Sequence, residues 1–162
     1  MDIDKLIVVP MLRKHQQAIS QWKYEGIYAF YNRTRPLEYD EKDDIRVEDA
    51  FVCLDDDSCV AGYFHFGKEA QIPTIENYLY TSDYLDIGLG LRPDLCGQGL
   101  GIAFVALGME YAEHIYKMDK FRLSVAIFNE RAIKVYLKAG FSVEEEVTNS
   151  YFKNKFFIMT RN

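Results

Sequence analysis

Apolar and polar positions along the chain change period several times, and the changes outline the elements. Residues 5–9 read as a first strand stopped by Pro10, and residues 12–22 as a helix. The aromatic segment running on to Tyr31 either extends that helix or begins a second one. Residues 33–49 are polar and charged, contain Pro36, and predict a connection with room for one helical turn. Residues 50–54 and 59–66 are strand-like runs separated by Asp55-Asp56-Asp57-Ser58, which predicts a hairpin. Three consecutive Asp raise the question of calcium, but the alternating ligand spacing and distal Glu of a calcium loop are missing, so the cluster reads as a solvated hairpin tip.

Residues 68–83 form a long polar and aromatic loop, of the length often kept for function or movement. Residues 84–92 follow as a strand in which Gly88 and Gly90 alternate with Ile87, Leu89 and Leu91. Glycine inside a strand marks a bulge or a close approach by a ligand or another backbone. Residues 101–116 begin apolar nearly all round, as suits a helix buried against a sheet. Residues 121–128 read as a strand and 129–139 as a helix, in which Glu130, Arg131, Lys134 and Lys138 share a polar stripe and Tyr136 faces inward. Gly140 ends this helix, and 141–147 with 151–160 close the chain as a second hairpin. No repeat, linker or low-complexity tract interrupts the pattern.

Composition narrows the class. The 162 residues, 49% hydrophobic and 27% charged, suit one soluble globular domain. A formal net charge of −6 argues against general affinity for nucleic acid or an anionic membrane and favours cationic substrates. Cys53, Cys59 and Cys96 are an odd number without CxxC spacing, which fits a reducing compartment. The acidic N-terminus is no signal peptide, and no run approaches the ~20 apolar residues of a membrane span; the expectation is a cytoplasmic protein with no membrane partner. Aromatic residues make up 15% of the chain, and Trp22, Tyr24, Tyr28, Phe30 and Tyr31 cluster. They serve either as helix-packing core or as the wall of a ligand cleft facing a cation.

The candidate chemistry sits at Cys96-Gly97-Gln98-Gly99-Leu100-Gly101, where three glycines lead from a strand directly into an apolar helix. Glycines remove side chains that would hold a phosphate away, and the helix N-terminus presents N–H groups with the positive end of its dipole behind them. No Ser, Thr, Asp or Asn stands between Gly97 and Gly101 to cap those groups. The spacing is G-x-G-x-G and no Lys-Ser or Lys-Thr follows, so neither a nucleotide triphosphatase loop nor a dinucleotide fingerprint is present.

Strand, glycine turn and the segment Asn129-Glu130-Arg131-Ala132-Ile133-Lys134-Val135-Tyr136-Leu137-Lys138-Ala139-Gly140-Phe141 together resemble the GNAT superfamily of acyl-CoA-dependent N-acetyltransferases. The resemblance runs from about Ala50 onward and is strongest from Asp86 to Phe141. It implies one α/β (α+β) domain over 1–162, a mixed and largely antiparallel sheet flanked by helices, with 84–141 as coenzyme-binding core and 1–49 mainly on the acceptor side. It implies acetyl-CoA as cosubstrate and no metal. Cys96, Gly97, Gln98, Gly99, Leu100 and Gly101 would hold the pyrophosphate. The pantetheine arm would lie between strands 84–92 and 121–128, with Leu89, Gly90 and Leu91 offering main-chain groups, Asn129 bonding the arm, and Ala132 also on the coenzyme.

Tyr136 would protonate the departing thiolate while an N–H near Leu89 stabilises the oxyanion. Asp86 is the candidate for taking the proton of the attacking ammonium, with a water relay as the alternative. The family favours Arg or Gln where Cys96 stands and often a basic residue where Gln98 stands, so phosphate contacts here would rest on backbone. A helix N-terminus could also lower the Cys96 thiol pKa. The implied reaction is acetyl transfer to a primary amine, of a small molecule or a protein, by direct attack in a ternary complex, in a monomer or homodimer. A cationic amine would be received between Trp22, Tyr24, Tyr28 and Tyr31 and the loop 68–83, with Glu25 and Glu76 as acids. The rivals are a non-enzymatic acyl-CoA-binding domain and a protein-interaction module using the aromatic surface.

Overall fold

The computed structural model describes every residue except 36, 39, 41, 43 and 44, all within the connection 33–49, so the helical turn expected in that connection lies partly outside the described residues. Strands β1 (Ile7–Leu12), β2 (Arg46–Leu54), β3 (Val60–Phe66), β4 (Leu85–Leu91), β5 (Phe121–Ala126), β6 (Ser142–Thr148) and β7 (Lys155–Arg161) form one sheet, in the order β1-β2-β3-β4-β5-β7-β6. Every adjacent pair is antiparallel except β4 and β5. A parallel pair needs a long crossover, and α2 (Gly101–Tyr116) supplies it.

Alternation along β2 and β3, shifted by an irregularity where Leu54 pairs with Val60, sends side chains to two cores. Phe51, Cys53, Ala61, Phe64 and Phe66 meet Phe104, Val105 and Met109 of α2 on one face. Ala50, Val52 and Val60 face the other way, where Met11, Ile19 and Trp22 cover them. Helix α3 (Glu130–Lys138) joins the first of these faces through Ile133, Val135 and Tyr136. Among the described residues no helix is long and apolar enough to cross a membrane.

Three local expectations change. The first strand does not stop at Pro10: β1 runs through it, paired Pro10↔Phe51, with an irregularity before Leu12. Proline is tolerated because β1 is an edge strand, where a missing N–H costs no ladder bond. The helix after it, α1 (Arg13–Ser20), ends before Trp22, and the aromatic segment forms a separate 3-10 helix over Gly26–Tyr31. Gly88 and Gly90 mark no bulge, since β3 and β4 pair in unbroken register from Phe66↔Ile87 to Gly62↔Leu91. Gly90 instead yields to a side chain: a Cβ there would lie 2.6 Å from the Tyr63 ring.

The feature that positions the site is a fork. β4 and β5 pair at only two rungs, Leu85↔Phe121 and Asp86↔Arg122, and diverge from there.

Candidate functional site

The fork leaves one edge of β4 unpaired. Arg92 donates its N–H to Ala61 O, and Leu85 donates its own to Lys120 O, next to β5. Alternation between these two points turns the N–H and C=O of Leu89 and Leu91 toward the fork and those of Gly90 toward β3. Of the three residues expected to offer main-chain groups, Leu89 and Leu91 face the fork and Gly90 does not, because its peptide groups lie in the β3 ladder. The Leu91 carbonyl already accepts from the Tyr24 hydroxyl at 2.7 Å.

The fork opens into a cavity of ≈ 530 Å³ lined by β4, β5, the glycine turn and both following helices. Gly97 (φ 73°) and Gly99 (φ 76°) hold left-handed conformations that L side chains rarely adopt, and a Cβ on Gly99 would meet no atom within 4 Å. Gly101 serves a different purpose: a Cβ there would lie 2.8 Å from Val135, so its absence lets α2 start against α3. No side chain caps α2 at Leu100, leaving its first N–H groups free for an outside acceptor.

Cys96, Gly97, Gly99, Leu100 and Gly101 line the cavity and Gln98 does not; its amide turns back to the Asp94 carbonyl. Burial raises the Cys96 thiol pKa, with Arg131 opposing, because Cys96 closes the short turn at Pro93–Leu95 and does not stand at the start of α2. Arg92, to which the sequence reading gave no role, ties the turn down. It bonds Asp94 at 2.7 Å, Asp55 at 3.0 Å and the Val60 carbonyl at 3.2 Å, which gives the hairpin-tip Asp55 a structural task.

On the opposite wall stands α3. Asn129 is its N-cap, accepting from Ala132 N–H at 3.2 Å, while its amide donates to the Tyr31 hydroxyl at 3.1 Å. Asn129, Ala132 and Tyr136 all line the cavity. The Tyr136 ring packs edge-on against Phe141 at 6.0 Å, and its hydroxyl makes no hydrogen bond with the described residues. Desolvation, reinforced by the Tyr31 and Tyr63 phenols, pushes its pKa up. The phenol therefore stays protonated, with its O–H open to a hydrogen bond from the cavity.

Tyr24, Tyr28 and Tyr31 form the outer wall, but Trp22 is not among them. It packs on Tyr63 at 6.0 Å, covering the β2–β3 face. Phe30 turns to Phe128 (5.3 Å) and Phe152 (5.0 Å). Ile72, Tyr78 and Tyr80 of the loop 68–83 pack on the same small core of Ala126, Val147, Phe156 and Ile158 as Phe128. Glu76 lies outside the cavity lining and accepts the Thr148 N–H through both oxygens at 2.8 and 3.0 Å. Glu25 precedes the 3-10 helix without a side-chain capping bond and lies outside the cavity lining.

Asp86 is placed elsewhere too. It stands at the last rung of the fork, 4% exposed. Both of its oxygens bond Arg122 at 2.7 Å, and Gln71 donates to one of them at 2.9 Å. Three of the about four lone-pair sites of this carboxylate are used and Asp86 is not in the cavity lining, so the geometry places it in a buried ion pair and not beside a ligand in the cavity. Arg122 is closed in by Thr81 O at 3.0 Å and by the faces of Tyr80, Tyr84 and Tyr78.

His65 is a further titratable group that the sequence reading passed over. It pairs with Gly88 across β3–β4 and stacks edge-on to Tyr63 at 5.3 Å. Its buried Nδ1 has no hydrogen-bond partner among the described residues, and desolvation lowers its pKa.

Known proteins give this geometry a family. The family model described as Acetyltransferase (GNAT) family matches residues 16–141. Spermidine N(1)-acetyltransferases of Escherichia coli K12 and O157:H7 are 38% identical over 88 residues, 54% of this chain and 47% of theirs; the match thus spans about half the length of those relatives. A chimera of the Vibrio cholerae spermidine N-acetyltransferase SpeG with hSSAT superposes with a TM-score of 0.71, at 18% identity over 97% of this chain and 95% of that one. The dodecameric spermidine N-acetyltransferase from Vibrio cholerae follows at 0.64 and 18%, covering 97% and 93%. AAC(6')-Ib in complex with ribostamycin and coenzyme A reaches 0.56 at 20%, covering 70% and 63%. At these identities the structural likenesses show a shared fold.

Proposed function

The chain belongs to the acetyltransferase (GNAT) family, and from that premise we propose that it transfers acetyl from acetyl-CoA to a primary amine of a small polycation of the spermidine kind. The observation that carries this reading is the cavity: an open β4 edge, an uncapped α2 N-terminus behind two positive-φ glycines, and the unbonded Tyr136 phenol share one enclosure. These residues suit the coenzyme. Gly97 and Gly99 leave room for phosphate oxygens at the start of α2, and Leu89 and Leu91 offer an extended arm the pairing of an added strand. The coenzyme supplies an acetyl group activated as a thioester.

In this reading the Leu89 N–H is the donor nearest to hand for a carbonyl oxygen in the fork. Tyr136 gives its proton to the leaving sulfur, and desolvation keeps that proton in place until it is needed. With Asp86 bound to Arg122, proton removal from the ammonium falls to water in the open cavity. Acceptor choice is supported by the E. coli relatives, by the net charge of −6, and by the rings of Tyr24 and Tyr31 in the cavity wall, since aromatic faces attract ammonium groups.

The test is acetyl-CoA consumption across spermidine, spermine, aminoglycosides, free amino acids and lysine peptides, with Gly99→Asp as the control that fills and charges the cradle. Turnover is expected with polyamines and is lost in Gly99→Asp. Turnover only with peptides overturns the acceptor assignment, and a fully active Gly99→Asp overturns the cradle.

A further inference from the structure

The glycine turn offers no side-chain cation. Cys96 stands at its first position, and Gln98 is spent on the Asp94 carbonyl. Backbone N–H dipoles alone would face a ligand with several negative charges, in a chain whose own net charge is −6. Yet the described cavity lining contains Arg131, Lys134 and Lys138 and no Asp or Glu. All three come from α3, at i, i+3 and i+7, which puts them on one helical face about 10 Å long at ~1.5 Å per residue.

Arg131 is the member at the turn. Its terminal nitrogen lies 3.5 Å from where a Gly97 Cβ would stand. Its guanidinium rests on the Tyr28 ring at 4.2 Å from the centroid, and it forms no ion pair with the described residues. An aromatic face holds a cation in place without neutralising it, whereas a carboxylate partner would have to be displaced before an anion could bind. The planar N–H fork then remains available for phosphate oxygens.

We propose that α3, and not the glycine turn, supplies the positive charge that holds the coenzyme's phosphates: Arg131, perched on Tyr28, meets the pyrophosphate at Gly97, and Lys134 and Lys138 take the ribose phosphate. This rests on the coenzyme reading above. It also accounts for the departures at Cys96 and Gln98, since cations on α3 make side-chain cations in the turn unnecessary.

Calorimetric titration of coenzyme A into the parent chain and Arg131→Gln, at low and at high KCl, tests it. Losing one charge-assisted contact is expected to weaken binding about tenfold at low salt, and to flatten the salt dependence. Lys5→Gln removes the same charge away from the cavity and is expected to leave affinity within about twofold, as for surface charges screened by solvent. The double variant Lys134→Gln/Lys138→Gln is expected to weaken coenzyme A while leaving dephospho-coenzyme A unchanged. Equal affinity of Arg131→Gln and the parent overturns the inference, as does an equal loss in Lys5→Gln. Equal loss of both coenzyme forms in the lysine variant overturns the assignment of the ribose phosphate. A parent chain that fails to bind coenzyme A overturns the coenzyme reading itself.

Discussion

Asp86 and Arg122 close the last rung before β4 and β5 part, and cutting that link separates a structural role from a catalytic one. Their side chains are 5% and 1% exposed, joined by two bonds of 2.7 Å. Removing one partner of a buried pair costs about 3–5 kcal/mol, because the other charge is left uncompensated. In Asp86→Asn the stranded guanidinium keeps Thr81 O and three tyrosine faces, each worth ~0.5–1 kcal/mol or somewhat more when desolvated. The expected loss therefore lies near the lower end, about 3 kcal/mol. For a domain of this size that lowers Tm by roughly 6–12 °C. Arg122→Met strands a carboxylate with only Gln71 beside it and is expected to cost more. The double variant Asp86→Leu/Arg122→Met removes both charges and is expected to recover much of the loss, which gives a strong coupling energy in the cycle. Thermal unfolding followed by circular dichroism reads stability, and kcat measured well below Tm reads chemistry. Asp86→Asn is expected to keep kcat within about tenfold, below the loss typical of a missing general base. A variant with unchanged Tm and a kcat lower by two orders of magnitude or more would return Asp86 to the role of proton acceptor and refute this reasoning.

Two further outcomes follow from the site. Tyr136→Phe keeps the ring and removes the donor, so kcat in chemistry-limited turnover is expected to fall on the order of 10²-fold while coenzyme A affinity barely moves. Because the Tyr136 pKa is raised above its usual 10.0, the parent's kcat shows no alkaline decline from this residue up to pH 10; equal kcat in the two proteins would reduce Tyr136 to packing. His65 has its pKa lowered from 6.5 by desolvation, so below pH 6.5 the unfolded chain binds the proton more readily than the folded one. Its contribution to stability is complete above the unfolded pKa and is lost as pH falls, at no more than about 1.4 kcal/mol per pH unit. Urea unfolding between pH 7 and 5 is expected to show a shallower decline in His65→Gln than in the parent, and parallel curves would remove His65 from the acid response.

Periodicity and glycine placement were enough to read most of the framework. The alternation in 50–66, the apolar α2 sequence and the inward position of Tyr136 are local patterns, and the structure shows the hairpin, the buried helix and the cavity-facing phenol. The three glycines announced a backbone no other residue adopts easily, which Gly97 and Gly99 show directly. Such features are legible because each depends on residues a few positions apart.

What only the tertiary structure decided depends on pairings that join distant segments. Pro10 looked like a stop until the sheet order made β1 an edge. Trp22 and Tyr24 are two residues apart, yet Trp22 covers the β2–β3 face while Tyr24 reaches the Leu91 carbonyl 67 positions away. Asp86 looked like a free acid at a strand edge because nothing in its neighbourhood along the chain names Arg122, 36 residues on. The glycine turn appeared to lack a cation because Arg131 comes to Gly97 from another helix. Charges and aromatic rings act through space over a few ångströms, so their roles are set by which segments the fold brings together, whereas backbone conformation and amphipathic period are written into each segment by itself.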